Sequence, residues 1–145
     1  MIFSGFIFDI EGTLVDCVPH TLNSLQEALK MRGHAVSYET LQLCSGLDGD
    51  ETLKLVTPSF KENERKQMLK DAGKYYEQTY LPLVRPFEGV RALFTAIKQA
   101  GGAIAFATDC KGAPLKVYRG SPASTTLSII SLAAMIFPRA SPIPR

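Results

Sequence analysis

Two acids separated by a single residue, Asp9 and Glu11, stand at the head of the run Asp9-Ile-Glu11-Gly12-Thr13-Leu14-Val15-Asp16, directly after the apolar stretch Phe6-Ile7-Phe8. A short apolar stretch reads as a buried strand, and the Gly-Thr pair breaks the strand pattern. The spacing therefore sets Asp9 at the carboxyl end of a strand, facing the crevice where open α/β sheets bind ligands. A carboxylate in that position, a second acid two residues on, and a glycine that lets the backbone approach a ligand closely suit phosphoryl chemistry on Mg²⁺.

The elements that must hold these groups follow from the apolar pattern. Residues 2–8 predict the first strand. Past Asp16 the pattern turns helical: Leu22, Leu25, Ala28 and Leu29 share a face, Thr21 or Asn23 supplies an N-cap, and Gly33 is the stop. Asp16 is expected to cap that helix or steady the loop. Ser37 to Cys44 reads as a short helix ending at Gly46, and Asp50 to Val56 as another turn or two before Pro58. From about Glu62 to Leu81, Met68, Leu69, Ala72, Tyr75, Tyr76 and Tyr80 recur near the helical period. These tyrosines are assigned to core or domain contacts, not to a ligand cage. Pro82 and Pro86 close the block, and Arg85 to Gly89 reads as a turn. Val90 to Ala100 is amphipathic, with Val90, Leu93, Phe94 and Ile97 inward and Gly101-Gly102 as its end. Ala103 to Ala107 is a second short buried strand, with Thr108 and Asp109 at its carboxyl end.

A strand, an all-helical stretch, a helix and a second strand do not make a plain βαβ repeat. Joined to the acidic run, this order resembles the haloacid dehalogenase-like (HAD) phosphatase superfamily, whose first motif is Asp-x-Asp-Gly-Thr-Leu-x-Asp after a hydrophobic strand near the N-terminus. Asp9, Gly12, Thr13, Leu14 and Asp16 match it, and Glu11 replaces the second Asp. The resemblance extends over residues 2 to about 116. It implies an α/β fold: a Rossmann-like core with an incomplete parallel sheet, residues 1–16 and 85–116, interrupted by a helical cap, residues 17–84. Residues 117–145 follow as an atypical apolar and proline-rich tail.

The resemblance also implies roles. Asp9 is the nucleophile: an aspartate oxygen attacks phosphorus to form an aspartyl-phosphate, dividing one hydrolysis into two easier steps. Its other oxygen and the backbone carbonyl of Glu11 bind Mg²⁺, which offsets the repulsion between anionic nucleophile and anionic substrate. The Glu11 side chain is the general acid and base; it is one methylene longer than the usual Asp, as in the enolase-phosphatases. Thr108 matches the second motif. Its hydroxyl and the N–H of Asp109 bind the transferring phosphoryl group, and Gly12, which shapes the turn, belongs to the same phosphate-binding set. Lys111 lies near the site. The implied activity is Mg²⁺-dependent phosphomonoester hydrolysis of a small phosphorylated metabolite.

The sequence departs from the pattern further on. All 14 acidic residues lie at or before Asp109, and Lys111, Lys116, Arg119, Arg139 and Arg145 follow without an acid, giving −3 up to Asp109 and +5 beyond it. The fourth motif, a pair of acids, is therefore missing, and neither Lys111 nor Lys116 stands in the Gly-Lys-Pro context of the third. The expectation is an impaired hydrolase. The alternative is a non-catalytic, truncated relative that acts by binding or by self-association through the open edge of strand 2–8 or through the apolar tail. The abrupt change of character after residue 116 is expected to reflect a premature or altered C-terminus, such as a change of reading frame.

The remaining features narrow the class. The chain has 145 residues, 46% hydrophobic and 21% charged, with net charge +2, which fits a soluble globular protein. Five scattered cations do not form a nucleic-acid groove. Cys17, Cys44 and Cys110 match no metal or disulfide spacing and read as reduced thiols in a cytoplasmic protein. No basic stretch precedes the first apolar run, so no signal peptide is expected. Ile129 to Phe137 is too short to span a bilayer. His20 and His34 are isolated and read as surface or helix-end residues. A phospho-accepting receiver domain fits poorly, because it carries its phosphoryl Asp on a later strand.

Overall fold

The computed structural model of the chain describes residues 5–118. The start of the expected first strand, at residue 2, and residues 119–145 of the expected tail lie outside the described residues. In chain order the elements are β1 (Gly5–Phe8), α1 (Val18–Met31), α2 (Tyr38–Leu43), α3 (Gly49–Val56), α4 (Glu62–Tyr75), α5 (Val90–Gln99), β2 (Ala103–Phe106) and α6 (Gly112–Tyr118). They fall into two compact units, Met1–Asp16 with Arg85–Arg145 and Cys17–Val84. The fold is α/β, an incomplete Rossmann-like sheet unit with a helical unit inserted in it. Among the described residues no helix is long and apolar enough to cross a membrane.

In the sheet unit β1 and β2 run parallel, from Gly5 beside Ala103 to Phe8 beside Phe106. Parallel neighbours need a long crossover, and here the crossover contains the whole helical unit and α5. Helix α5 covers one face of the sheet. Its Phe94 ring lies 5.4 Å from that of Phe8 and 6.0 Å from that of Phe106, and Val90, Phe94 and Ile97 are its buried stripe. Leu93, expected inward, is exposed, because it sits on the flank of that stripe. Gly101 ends α5 in the left-handed region at φ +76°. Its N–H donates to Lys98 and the N–H of Gly102 donates to Ile97, both at 2.9 Å, which is the Schellman pattern. A side chain on Gly102 would come within 2.9 Å of Ile97 Cγ2, so the return into β2 is tight.

The expectation of a buried first strand needs correction. Gly5, Phe6 and Ile7 are exposed, with Ile7 at 73%. Alternation puts Phe8 on the α5 side and Ile7 on the other, and a strand is buried throughout only when layers cover both faces and neighbours cover both edges. Among the described residues β1 has β2 on one side alone. Ile104 of β2 is buried, as expected.

The helical unit has its own core of Leu25, Ala28 and Leu29 from α1, Leu41 from α2, Leu53 from α3, and Met68 and Ala72 from α4. Helix α1 begins at Val18, earlier than expected, with Cys17 as an N-cap that makes no side-chain bond. Pro19 in the first turn presets the backbone there. The Thr21 hydroxyl instead donates back to the Cys17 carbonyl at 3.2 Å, so neither Thr21 nor Asn23 is the cap. Gly33 stops the helix as expected, at φ +81°. Ser37 caps α2 by accepting the N–H of Thr40, and Asp48 caps α3 by accepting that of Asp50.

The long helix expected from Glu62 to Leu81 is α-helical only to Tyr75. A π-helical turn, Tyr76–Tyr80, and a 3₁₀ turn, Leu81–Leu83, follow it. Pro82 lacks a donor and its ring crowds the carbonyl four residues back, which falls on that widened turn. Tyr76 is buried, and Tyr75 and Tyr80 pack ring to ring at 5.9 Å. His20 stacks on Tyr80 at 5.2 Å and His34 meets Phe60 edge-on at 4.7 Å, so each histidine has an aromatic neighbour.

Candidate active site

The carboxyl ends of β1 and β2 carry the residues singled out in the sequence. Asp9 follows Phe8 directly. Ala107 ties the two strands one step further by donating its N–H to the Phe8 carbonyl at 2.9 Å, and Thr108 and Asp109 come next. The sheet thus brings Asp9 and Thr108 to one edge. Asp9 is exposed, and its Oδ1 accepts the N–H of Ile10 at 2.7 Å.

The loop from Asp9 to Asp16 is held by alternating burial. Ile10, Leu14 and Val15 are buried, and between them Gly12 and Thr13 are exposed and Glu11 is half-buried. The Ile10 carbonyl accepts the N–H groups of Thr13, Leu14 and Val15 at 3.3, 2.9 and 3.1 Å. Gly12 takes φ +71°, a conformation that side chains disfavour, and donates its N–H to Val15 at 3.0 Å. That N–H is therefore committed inside the loop. The loop is also tied to the returning chain: Asp16 donates to the Arg85 carbonyl at 2.9 Å and Phe87 to the Leu14 carbonyl at 3.0 Å. Asp16 acts through this main-chain bond, since Cys17 and not Asp16 occupies the N-cap of α1.

Glu11 is the electrostatic centre of the unit. Burial pushes its carboxyl above the ordinary glutamate value. A hydrogen bond from Cys110 pulls it back, the Asp109 charge raises it, the Tyr118 hydroxyl lowers it, and the Asp9 charge raises it. Three acids from two strand ends therefore feel one another. Thr108 Oγ1 accepts the N–H of Cys110 at 3.1 Å. A hydroxyl engaged as acceptor still has its own proton to give. Asp109 and Lys111 are exposed in the same loop.

Two residues of this cluster were not expected from the sequence. Cys110 was read as an ordinary thiol. It is one of three buried cysteines, and it bonds Glu11. Tyr118 falls beyond residue 116, where the tail was expected to begin, yet α6 runs on to it and its Oη donates to Glu11 Oε1 at 3.4 Å. Pro114 was the available signal: a proline in a first helical turn marks a start, and Tyr118 lies one turn further on.

Comparison with known proteins bears on the family and the fold. A profile of the haloacid dehalogenase-like hydrolase family matches residues 6–116. Among solved structures, the chain is similar to a HAD hydrolase, family IA, variant 3, from Entamoeba histolytica, with 19% identity, a TM-score of 0.67, and coverage of 81% of this chain and 54% of that one. It is similar to β-phosphoglucomutase from Clostridium difficile, with 18% identity, a TM-score of 0.61, and coverage of 72% and 51%. A predicted phosphoglycolate phosphatase from Haemophilus somnus gives 24% identity, a TM-score of 0.62, and coverage of 74% and 52%. At such identities these likenesses speak for the fold. The chain spans about half the length of these structures. No curated protein matches it.

Proposed function

The chain belongs to the haloacid dehalogenase-like hydrolase family, and from that premise we propose that it is a phosphatase-type member, a Mg²⁺-dependent phosphomonoester hydrolase with Asp9 as nucleophile. The observation that carries this reading is the arrival of Asp9 and Thr108 at the carboxyl ends of two paired parallel strands. An Asp9 oxygen attacks phosphorus and forms an aspartyl-phosphate as the bond from phosphorus to the leaving oxygen breaks. Glu11 gives that oxygen its proton. In the second step Glu11 takes a proton from water, whose oxygen attacks phosphorus, releasing phosphate and restoring Asp9. Burial raises the Glu11 carboxyl above the ordinary glutamate value, a direction in keeping with a proton donor. The Thr108 hydroxyl and the Asp109 N–H receive the phosphoryl oxygens.

Hard oxygen donors suit Mg²⁺. The Asp9 carboxylate and the Glu11 main-chain carbonyl would hold it. Among the described residues no group of three His, Cys, Asp or Glu side chains could enclose an ion, and Mg²⁺ commonly binds through one or two carboxylates and keeps several waters. A cation held by these two oxygens would offset charge between nucleophile and substrate. After Asp109 the sequence has no acid to add to the set, and the reading is of a slow, impaired enzyme acting on a small phosphorylated metabolite. Three cysteines, odd in number and at no disulfide spacing, are in keeping with a reducing, cytoplasmic setting.

Turnover of p-nitrophenyl phosphate with Mg²⁺, compared with Asp9→Asn, is the test. The wild type is expected to release p-nitrophenol, and the variant to fall to background. Equal background in both favours the non-catalytic alternative, a relative that acts by binding or self-association. The exposure of Phe6 and Ile7 on β1 speaks for that second reading, and light scattering would then show association.

A further inference from the structure

The one position at which the first motif departs from the family pattern is Glu11, and that is the side chain Tyr118 reaches. Tyr118 is 0% exposed, among the largest fully buried side chains of the described chain. Its Oη donates to Glu11 Oε1 at 3.4 Å across 107 positions of sequence. The family profile matches residues 6–116, so this contact comes from beyond the matched part of the chain. We propose that Tyr118 is a positioning residue, whose buried hydroxyl fixes the Glu11 carboxyl beside Asp9 and compensates for the extra methylene.

The physical reason is rotational freedom. Glu has one more rotatable bond than Asp, so its carboxyl sweeps a larger volume and spends less time where proton transfer needs it. A tyrosine locked by complete burial has two torsions and a stiff ring, so its hydroxyl is a fixed post. A buried phenol also needs a partner, which gives the bond reason to persist. The buried Cys110, anchored through its N–H to the Thr108 hydroxyl, supports Glu11 from the β2 loop. One carboxyl is thus held from α6 and from the second-motif loop together.

The proposal rests on the reading of Glu11 as proton donor to the leaving group, and the experiment separates the two. Tyr118→Phe keeps the ring and removes the hydroxyl. In the full chain with Mg²⁺, kcat and KM are measured for p-nitrophenyl phosphate, whose leaving group departs readily as an anion, and for phenyl phosphate, whose leaving group needs the proton more. The expected result is a shift of about tenfold in the ratio of the two kcat values, against phenyl phosphate, a fraction of the ~10²–10⁴ that general acid catalysis supplies. An unchanged ratio overturns the proposal, whether or not overall rate and melting temperature fall, because lost packing alone lowers both substrates together.

A second measurement does not depend on turnover. In chain carrying ¹³C at glutamate carboxyls, the Glu11 resonance is assigned by its disappearance in Glu11→Gln. Tyr118→Phe is expected to move that signal and leave other glutamates in place; no movement overturns the proposal. If the signal moves while neither substrate is turned over above Asp9→Asn, positioning stands and the hydrolase reading fails.

Discussion

The carboxylates of the two units are held in opposite senses. In the helical unit, hydrogen bonds from Lys54 and Arg65 draw the Asp50 carboxyl below its ordinary value, Gln67 and Arg32 do the same for Asp71, and Lys66 for Glu62. In the sheet unit burial raises Glu11, the Asp109 and Asp9 charges add to it, and the hydrogen bonds from Cys110 and Tyr118 offset it only in part. Acids that serve stability are kept charged beside cations at the surface. An acid kept half-buried among other acids works against folding, an expense proteins tend to accept where chemistry is done. The apolar cores differ likewise. The helical unit encloses residues from four helices, whereas the sheet unit leaves β1 exposed.

This contrast can be broken at three strengths. The largest effect is expected at Met68, fully buried in the helical core. Met68→Ala removes most of a side chain with little room for collapse and should cost about 2–5 kcal/mol, read from urea unfolding by far-UV circular dichroism. A loss below about 1 kcal/mol would mean that the helical unit does not depend on that core.

Glu11→Gln should give a smaller effect whose dependence on pH is diagnostic. A carboxyl with a folded pKa above its unfolded value holds more protons in the folded state, so its contribution is fully present below the unfolded value, 4.5, and is lost as pH rises through the folded value. The variant cannot take the charge. It should match wild type in acid and become the more stable of the two toward neutral pH. A constant difference across that range would remove the claim that burial governs Glu11.

Asp50→Asn should show the reverse slope and the smallest effect, since surface pairs contribute little. Asp50 bonds Lys54 Nζ and Arg65 Nε, each at 2.6 Å. Its contribution is present above the unfolded value, 3.8, and is lost as pH falls through the lower folded value. The variant should be less stable than wild type at neutral pH and converge with it in acid, with the gap reduced by salt. Two slopes of the same sign would erase the distinction between the units.

Features with local causes were legible in the sequence. The Asp9–Asp16 loop follows from its apolar lead-in and from a glycine at φ +71°. Gly33 and Gly101 were readable as helix stops because a left-handed residue is needed there. Thr108 was readable because β2 must end before a polar pair. The rest depended on tertiary partners. Asn23 carries a capping side chain, but Pro19 sets the start of α1. The tyrosine spacing from Tyr75 to Tyr80 looks α-helical, but Pro82 obliges the last turns to widen and then tighten. Phe6-Ile7-Phe8 is apolar enough for a central strand, yet burial is decided by neighbours that no local pattern encodes. Pro114 could have marked the helix that carries Tyr118, but its contact with Glu11 was not legible, because that partner lies at the far end of the described chain.

Because Gly5 pairs with Ala103, the order in which the chain can assemble is constrained. Closing a loop of that length costs entropy before any contact repays it, and contacts so distant in sequence slow folding. The helices of the insertion find their partners within residues 17–84, nearer in sequence than Gly5 is to Ala103, and once ordered they shorten the stretch that must be closed. On the ribosome β1 emerges first and waits, bare, until residues 103–106 follow. The hazard of a misplaced strand is greatest in that interval, and the quick collapse of the intervening helices is what keeps it short.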